Sequence, residues 1–550
     1  MTTFTSSSAG WPAAPAAKAA PFPLTNLQKL LLPVGAVLFD VLFWQERAAL
    51  SMLLYTAFVV GGVLAGLPRH AAAWRSGYFW LTLAGTGISA VMVAVYSSAA
   101  AQLSCVVSLA AWLGYVNQSH LKLVGYAVLT SLVNLFPAIE RVGQLVRFPA
   151  NVSGRASRLW YYGRLLGVPL AALLLFHCLF VVANPQYSYF SGRVLELLGQ
   201  ALDLLFARLS VPHLLFFVLG LLLTAGAVFL IPVHYFADQE SRFGEVVRRS
   251  RDRVASFAVR RPDFRPAAFR TLDLRKEYLM ALSLIGLVNV LLLVVNVIDI
   301  RWIWFGFVPT RDFDLTQFVH EGTYVLIFSI LVAMGIVLWF FRRNLNFYQP
   351  GLPVLRWGAT VWVLQNAVLA VSVGLRNYYY IQYTGLAYKR IGVYGFLLLT
   401  FFGLATVLLK VWQRRSAYAL VRLNALAVYT VMVLLACGNW EIWIARYNLQ
   451  PRFREIDYGF LLDMPDRVLP ELAAHAATLG RQTLIREDGY NHWAPWPQEE
   501  ARQALQARIR SFRAQQAQRH WPSLSWADYQ AARYFDAHPL PALGHVTVRP

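Results

Sequence analysis

Residues 278–298 read YLMALSLIGLVNVLLLVVNVI and carry no charged side chain over 21 positions. A helix needs about 20 apolar residues to cross the hydrocarbon core of a bilayer. In that medium every backbone N–H and C=O must be satisfied within the protein, so an isolated run of this kind has to be helical. Residues 322–341 and 391–409 are similar. The pattern predicts an all-α, polytopic helical membrane protein. A membrane β-barrel would instead show alternating segments of about ten residues. Composition agrees: 57% of the 550 residues are hydrophobic and 14% are charged, against about a quarter charged in soluble domains.

Spans are expected near 28–44, 50–67, 78–96, 100–116, 163–183, 212–233, 278–299, 319–341, 354–375, 390–410 and 418–437. That makes about 11, with 12 possible. The extra candidate is 121–137, LKLVGYAVLTSLVNLFP. It is short and carries Thr130, Ser131 and Asn134. If it crossed, Lys122 or the arginines that follow it would face outside. It therefore reads as a helix on the cytoplasmic interface, with one apolar face toward the headgroups.

With that choice the basic residues fall on one side. The 234–277 connection holds 11 Lys or Arg. Arg69 and Arg75, Arg342 and Arg343, and Lys410, Arg414 and Arg415 join it. The positive-inside rule makes this side cytoplasmic, with the N-terminus inside and the C-terminus outside. The net charge of +21 thus reflects loops between spans, and no nucleic-acid partner is implied. The expected partner is the lipid bilayer itself. The basic loop serves orientation, and it offers a site for anionic lipid or a cytoplasmic partner. Oligomeric state is not legible.

Four regions are expected. Residues 1–26 are Ala, Pro and Ser rich and read as a disordered tail. Residues 27–137 hold four spans and the interfacial helix. Residues 138–437 hold seven spans and the basic loop. Residues 438–550, with 13 Arg and 12 Asp or Glu, read as a small α-helical extramembrane domain. In it, Asp466 is placed to cap a helix running to about 480, residues 498–518 show helical spacing, and Ser525 is placed to cap WADYQAARYF. Residues 186–208 read as an amphipathic helix on the outer surface. Cys105, Cys178 and Cys437 lie in apolar segments without metal-ligand spacing. No metal, cofactor or catalytic triad is expected.

The candidate functional residues are the polar groups carried to membrane depth, where charge is costly unless paired or facing a cavity. In QFVHEGTYVLIF, His320 and Glu321 stand at the outer end of a span. The stretch departs from the H-E-x-x-H zinc motif, because Tyr324 occupies the position of the second histidine. Asp40, Asn184, Arg376, Arg390 and Asp457 share the outer level. Glu321 is placed to pair with Arg390. His177, Gln365 and Asn366 are mid-membrane. Each has a bland alternative as an interfacial anchor or as interhelical glue.

The segments LFDVLFW, VVANPQYSYF, FVHEGTYVLI, YTGLAYKRIGVYGFLLL, NLQPRFREIDYGFLL and WPSLSWADYQAARYF occur in this order. In them the chain resembles a bacterial multi-spanning family recorded only as a domain of unknown function. The resemblance covers most of residues 30–540. Two positions depart from it: Asn184 stands where Asp is usual, and His320 where Arg is usual. The Tyr-Gly-Leu motif also carries an inserted Thr384. The resemblance implies a membrane fold, a bacterial inner membrane as the location, and no particular activity. The residues themselves leave three classes open. The first is non-enzymatic transport or sensing of a small molecule, ion or lipid through an outward polar cavity. The second is a membrane enzyme on a lipid-linked substrate at the outer face, disfavoured by a first outer loop, WQERAAL, whose one acid is Glu46. The third is an envelope scaffold or signalling partner.

Overall fold

The computed structural model describes residues 24–145, 169, 172–205, 210–248, 274–305, 315–342, 344–476, 482–487 and 493–538. The chain begins with α1 (Asn26–Phe43), α2 (Leu50–Gly66), α3 (Gly77–Tyr96), α4 (Ala99–Asn117) and α5 (Val124–Leu145). Then come α6 (Ala172–Ala183), α7 (Pro185–Leu205), α8 (Val211–Val228) and the short α9 (Tyr235–Ser241). The second half holds α10 (Leu274–Asp299), α11 (Leu315–Phe340), α12 (Leu352–Thr384), α13 (Tyr388–Gln413) and α14 (Ala417–Ala436). Local signals set several boundaries. Thr25 and Gln28 form a reciprocal capping box at α1. Ser98 and Ser416 cap α4 and α14 through their side chains.

Among the described residues, eight helices are long and apolar enough to cross a membrane, and three further apolar helices are shorter: Leu50–Gly66, Ala172–Ala183 and Val325–Phe340. This is an integral, multi-pass membrane protein. Many large apolar side chains on these helices point outward, such as Leu287 and Val290 on α10. In water such a surface would aggregate, whereas lipid makes it ordinary.

The helices pack in two groups. In one, α1 and α8 cross closely: a β-carbon at Gly220 would collide with Phe39, and one at Gly35 with Thr224. In the other, α12 is the central post, packed on α10, α11 and α13. Its core gathers Ile285, Val337, Phe341, Leu355 and Trp362.

Helix α5 starts at one end of the bundle, where Glu240 accepts from the N–H groups of Lys122 and Leu123 at 3.0 and 2.9 Å. It finishes at the same end, where Val142 joins Leu24, Leu31 and Ile231. Its inner face, Val124, Ala127, Thr130, Asn134 and Ala138, is buried, while Leu129, Leu132 and Phe136 are exposed. Both ends of α5 thus meet the same end of the bundle, and α5 is not among the eight described helices long and apolar enough to cross a membrane. Its middle is held as well: Asn134 donates to the Gly226 carbonyl at 2.7 Å and accepts from the Ile231 N–H at 3.1 Å.

The remaining residues form a tail: α15 (Trp440–Asn448), β1 (Glu455–Asp457), α16 (Tyr458–Leu462), α17 (Leu469–His475), β2 (Thr483–Glu487), β3 (Trp493–Pro495), α18 (Gln498–Gln518) and α19 (Trp526–Ala537). The three strands correct the expectation of a purely helical tail. β2 is central, parallel to β1 and antiparallel to β3. They are three to five residues long, too short for a visible alternation. Ser525 caps α19 as expected, accepting from the Asp528 N–H at 3.2 Å. Asp466 does something else. It opens a 3₁₀ turn and binds Arg508 at 3.1 Å and Arg519 at 3.5 Å, so it ties α18 to the domain.

The tail docks on the turns at one end of the bundle. At the α1–α2 turn, the Leu50 N–H donates to the Leu524 carbonyl, and Glu46 accepts from Ser523 and binds His520 at 2.7 Å. At the α3–α4 turn, Arg467 donates to the Tyr96 carbonyl and pairs with Glu441 at 2.5 Å. At the α12–α13 turn, Asn448 brackets Leu386. This end is called the tail face. The opposite end, with Arg69, Arg75, Arg414 and Arg415, is the basic face.

Candidate functional site

The α12–α13 turn is built around Gly385. Its φ is +86°, and a β-carbon there would lie 2.6 Å from Asn448 Oδ1. Glycine meets both demands. The next residue, Leu386, donates its N–H to Asn448 Oδ1 at 2.6 Å and accepts from Asn448 Nδ2 at 2.9 Å. Arg390 turns back from the first turn of α13, donates to the carbonyls of Thr384 and Gly385, and stands over the Tyr380 ring at 4.3 Å. The sequence YTGLAYKR is thus a helix stop, a docking residue and an arginine clasp.

This turn forms one wall of a cavity of about 150 Å³, and the tail forms the other through Asn448, Phe453, Glu455, Asp457 and Phe460. Asp457 and Phe460 also line a second cavity of about 360 Å³, with Asp463, Arg486, Glu487, Trp493 and Trp496. The two make one cleft with Asp457 at its middle. Asp457 caps α16, accepting from the Phe460 N–H at 2.9 Å. Burial holds its carboxyl above the usual range, and the nearby Glu487 and Asp463 push the same way, while the Phe460 N–H and Arg390 pull it down. Arg486 stands over the Trp496 ring at 5.1 Å. The cleft therefore offers carboxylates, two guanidiniums and two indoles within one concavity.

Beneath Arg390 a polar seam runs between α10 and α12. Asn377 donates to the Arg390 carbonyl at 3.0 Å. Arg376 pairs with Asp299 at 2.8 Å, both nearly buried. Trp304 donates to Ser372 at 3.0 Å. Asn296 donates to the Gln365 carbonyl and Gln365 to Asn289, each at 3.0 Å. Asn289 donates to the Gly358 carbonyl at 3.0 Å. From Asn289 to Asp299 is ten residues, or about 15 Å of helix rise, half a bilayer core. Among the described residues, Asn296 Oδ1, Asp299 Oδ2, Gln365 Oε1 and Asn366 Oδ1 are buried without a hydrogen-bond partner. Below Asn289 the same interface is apolar, with Ala281, Ile285, Leu355 and Ala359.

A family model described as a domain of unknown function, DUF4153, matches residues 57–475. The chain belongs to the DUF4153 family. The match holds Arg376, Arg390, Asn448 and Asp457, while the cleft's Arg486, Glu487, Trp493 and Trp496 lie beyond it. Comparison with curated proteins and with solved structures finds no match.

The structure brings together three of the expected residues, Arg376, Arg390 and Asp457, with Gln365 and Asn366 continuing below them. Others stand apart. Asp40 pairs with His213 at 2.9 Å, and that imidazole stacks on Trp44 at 4.2 Å. Asn184 accepts from the N–H groups of Gln186 and Tyr187 at 3.0 and 3.3 Å, so it caps α7. Asn and Asp serve that purpose equally, which accounts for the departure at 184. His177 bonds to Tyr187 at 3.0 Å. His320 and Glu321 lie on α11, but their side chains, and with them the Glu321–Arg390 pairing, fall outside the described residues. So does 249–273 of the basic loop.

Sequence reasoning missed the partners. Asn289 and Asn296 stand seven apart in the uncharged run, on one helix face, and that spacing was a readable signal. His213 had none. Trp493 and Trp496 join the cleft only through the small sheet.

Proposed function

We propose that this DUF4153 protein binds a small polar ligand at the outer face of a cell membrane, in the cleft where the tail meets the α12–α13 turn, as the first step of sensing or transport. The supporting observation is the cleft itself, in which Asp457, Arg390, Arg486 and two tryptophans surround one concavity. Indole faces beside carboxylate and guanidinium groups suit a hydroxyl-rich ligand such as a sugar, whose apolar face stacks while its hydroxyls take the hydrogen bonds. The arginines of the opposite face support a cytoplasmic assignment for that face. The tail and cleft are then extracellular or periplasmic, with eleven crossings, in a bacterial inner membrane. In this reading Arg390 is the coupling element. Its carbonyl is held by Asn377, next to the Arg376–Asp299 pair, so a ligand that shifts Arg390 changes the top of the seam. The basic 234–277 loop meets anionic lipid or a cytoplasmic partner.

A second reading is a membrane enzyme acting on a lipid-linked substrate. The observation favouring it is Asp457, whose raised proton affinity beside two other carboxylates is the setting of a general acid.

The test uses the full chain in nanodiscs, with glucose, N-acetylglucosamine and spermidine as probes, followed by intrinsic tryptophan fluorescence. At least one sugar is expected to quench with saturation. Asp457→Asn and Arg390→Gln should each weaken it tenfold or more, while Asp536→Asn, far along α19, leaves it unchanged. Failure of every probe, or equal binding by the cleft variants, overturns the proposal. Turnover of a lipid-linked sugar that Asp457→Asn abolishes would select the second reading.

A further inference from the structure

A cavity of about 680 Å³ opens between α1, α2, α4, α5 and α8, away from the cleft. Phe39, Leu103, Val106, Leu109, Leu132 and Leu223 are among its walls. Its few polar side chains are already engaged. The Tyr55 hydroxyl bonds to Thr224 at 2.9 Å, and Thr56 to Cys105 at 3.6 Å. Ser131 donates to the Ala110 carbonyl at 2.5 Å, and Gln102 to the Ala48 carbonyl at 3.1 Å. The lumen therefore offers little unspent hydrogen-bonding capacity, and an apolar cavity of that kind does not hold water. Its volume lies within the roughly 300–1,000 Å³ of ligand sites.

The cavity has a direction. Helix α5 closes it toward the basic face through Ser131, Leu132 and Leu135, while Ala48, Ala99 and Gln102 line it toward the tail face. It also has a side entrance, because Leu103, Val106 and Leu132 on its rim are 60, 56 and 50% exposed. In a membrane protein that entrance faces hydrocarbon.

We propose that this cavity holds one acyl chain of a bilayer phospholipid, entering from the leaflet on the tail face with its headgroup beside the α1–α2 turn. The placement of α5, with both its ends against the basic face, creates the site. A helix crossing the bilayer there would fill the volume, whereas one lying across the basic end leaves a blind, apolar well. The acyl chain leaves hydrocarbon, not water, so no hydrophobic transfer drives it in; it is held by close contact with the cavity wall, and its insertion completes the packing of α1, α2, α4 and α8.

The experiment reconstitutes the full chain in nanodiscs containing a phospholipid with a diazirine on its acyl chain and maps the adducts by mass spectrometry after irradiation. Adducts on Leu109 and Leu132 are expected at least fivefold above those on Leu287 and Val290, which are freely exposed on α10. Val106→Trp, at the exposed rim, should abolish that excess and leave the α10 adducts unchanged, and Leu103→Trp should do the same. Equal labelling of both helix groups, or an excess that survives both variants, means ordinary annular lipid and overturns the proposal. Displacement of the label by an equimolar polyprenyl phosphate would overturn the phospholipid assignment.

Discussion

Glu441→Gln is the substitution through which the docking of the tail can be weighed. Glu441 opens α15 and Arg467 lies in the turn before α17. Their side chains are 7 and 2% exposed, and the charged atoms are 2.5 Å apart. Arg467 also donates to the Tyr96 carbonyl of the α3–α4 turn, so the pair joins the tail to the bundle. Glutamine keeps the shape of glutamate and removes its charge, which leaves a buried guanidinium without its counter-ion. Breaking a buried pair in this way costs about 3–5 kcal/mol. At about 1.4 kcal/mol per tenfold change, the undocked tail becomes roughly 10²- to 4×10³-fold more populated. Hydrogen exchange of the buried amides of Ile444, Leu469 and Leu472 in detergent micelles would read that factor directly. The double variant Glu441→Gln/Arg467→Met removes both charges and should recover most of the protection, because the desolvation cost disappears with the guanidinium. A loss below about 1 kcal/mol, the range of exposed pairs, would refute the reasoning.

Three further outcomes are expected. Asp299→Asn removes the carboxylate charge from the nearly buried Arg376–Asp299 pair of the α10–α12 seam and should lower stability by up to about 3–5 kcal/mol, visible as a lower unfolding temperature in micelles. Gly385→Ala forces a β-carbon onto Asn448 at a positive φ and should cost about 1–3 kcal/mol. Asn448→Ala, by contrast, should relieve part of that cost in the double variant. Asp457 has a raised carboxyl pKa, so its favourable contribution to folding is complete below the ordinary value of 3.8 and is lost as pH rises through the folded value. Asp457→Asn keeps the neutral form, and asparagine still caps α16. Urea unfolding should therefore find the variant more stable than the parent at pH 7 and equal to it at pH 3.5.

The membrane character was legible because lipid imposes it at the level of composition: an uncharged stretch like 278–298 has one structural answer. Lys122 and the following arginines set the expectation that α5 does not cross, and α5 is not among the eight described helices long and apolar enough to do so. The expectation that Arg376, Arg390 and Asp457 share one level came from the same bookkeeping of charge, and the fold gathers them near the α12–α13 turn on the tail face. What they bind to locally was not readable. Asp40 finds His213, 173 residues away, and Arg376 finds Asp299, 77 residues away, and nothing in one strand of sequence specifies such pairings. The small sheet escaped because strands of three residues leave no periodic trace. Asn184 shows the converse error: a polar residue at membrane depth suggested a ligand site, yet its oxygen is taken up by the first turn of its own helix.

The central claim is that the cleft faces outward, and sidedness labelling tests it most directly. With Cys105, Cys178 and Cys437 replaced by serine, single cysteines are introduced as Ala514→Cys on α18 and His70→Cys on the basic face, both at exposed positions. A membrane-impermeant maleimide is then applied to intact and to permeabilised expression-host cells. The account predicts that position 514 labels in intact cells and position 70 only after permeabilisation. Labelling of position 70 in intact cells, with 514 protected, would contradict it and place the cleft in the cytoplasm.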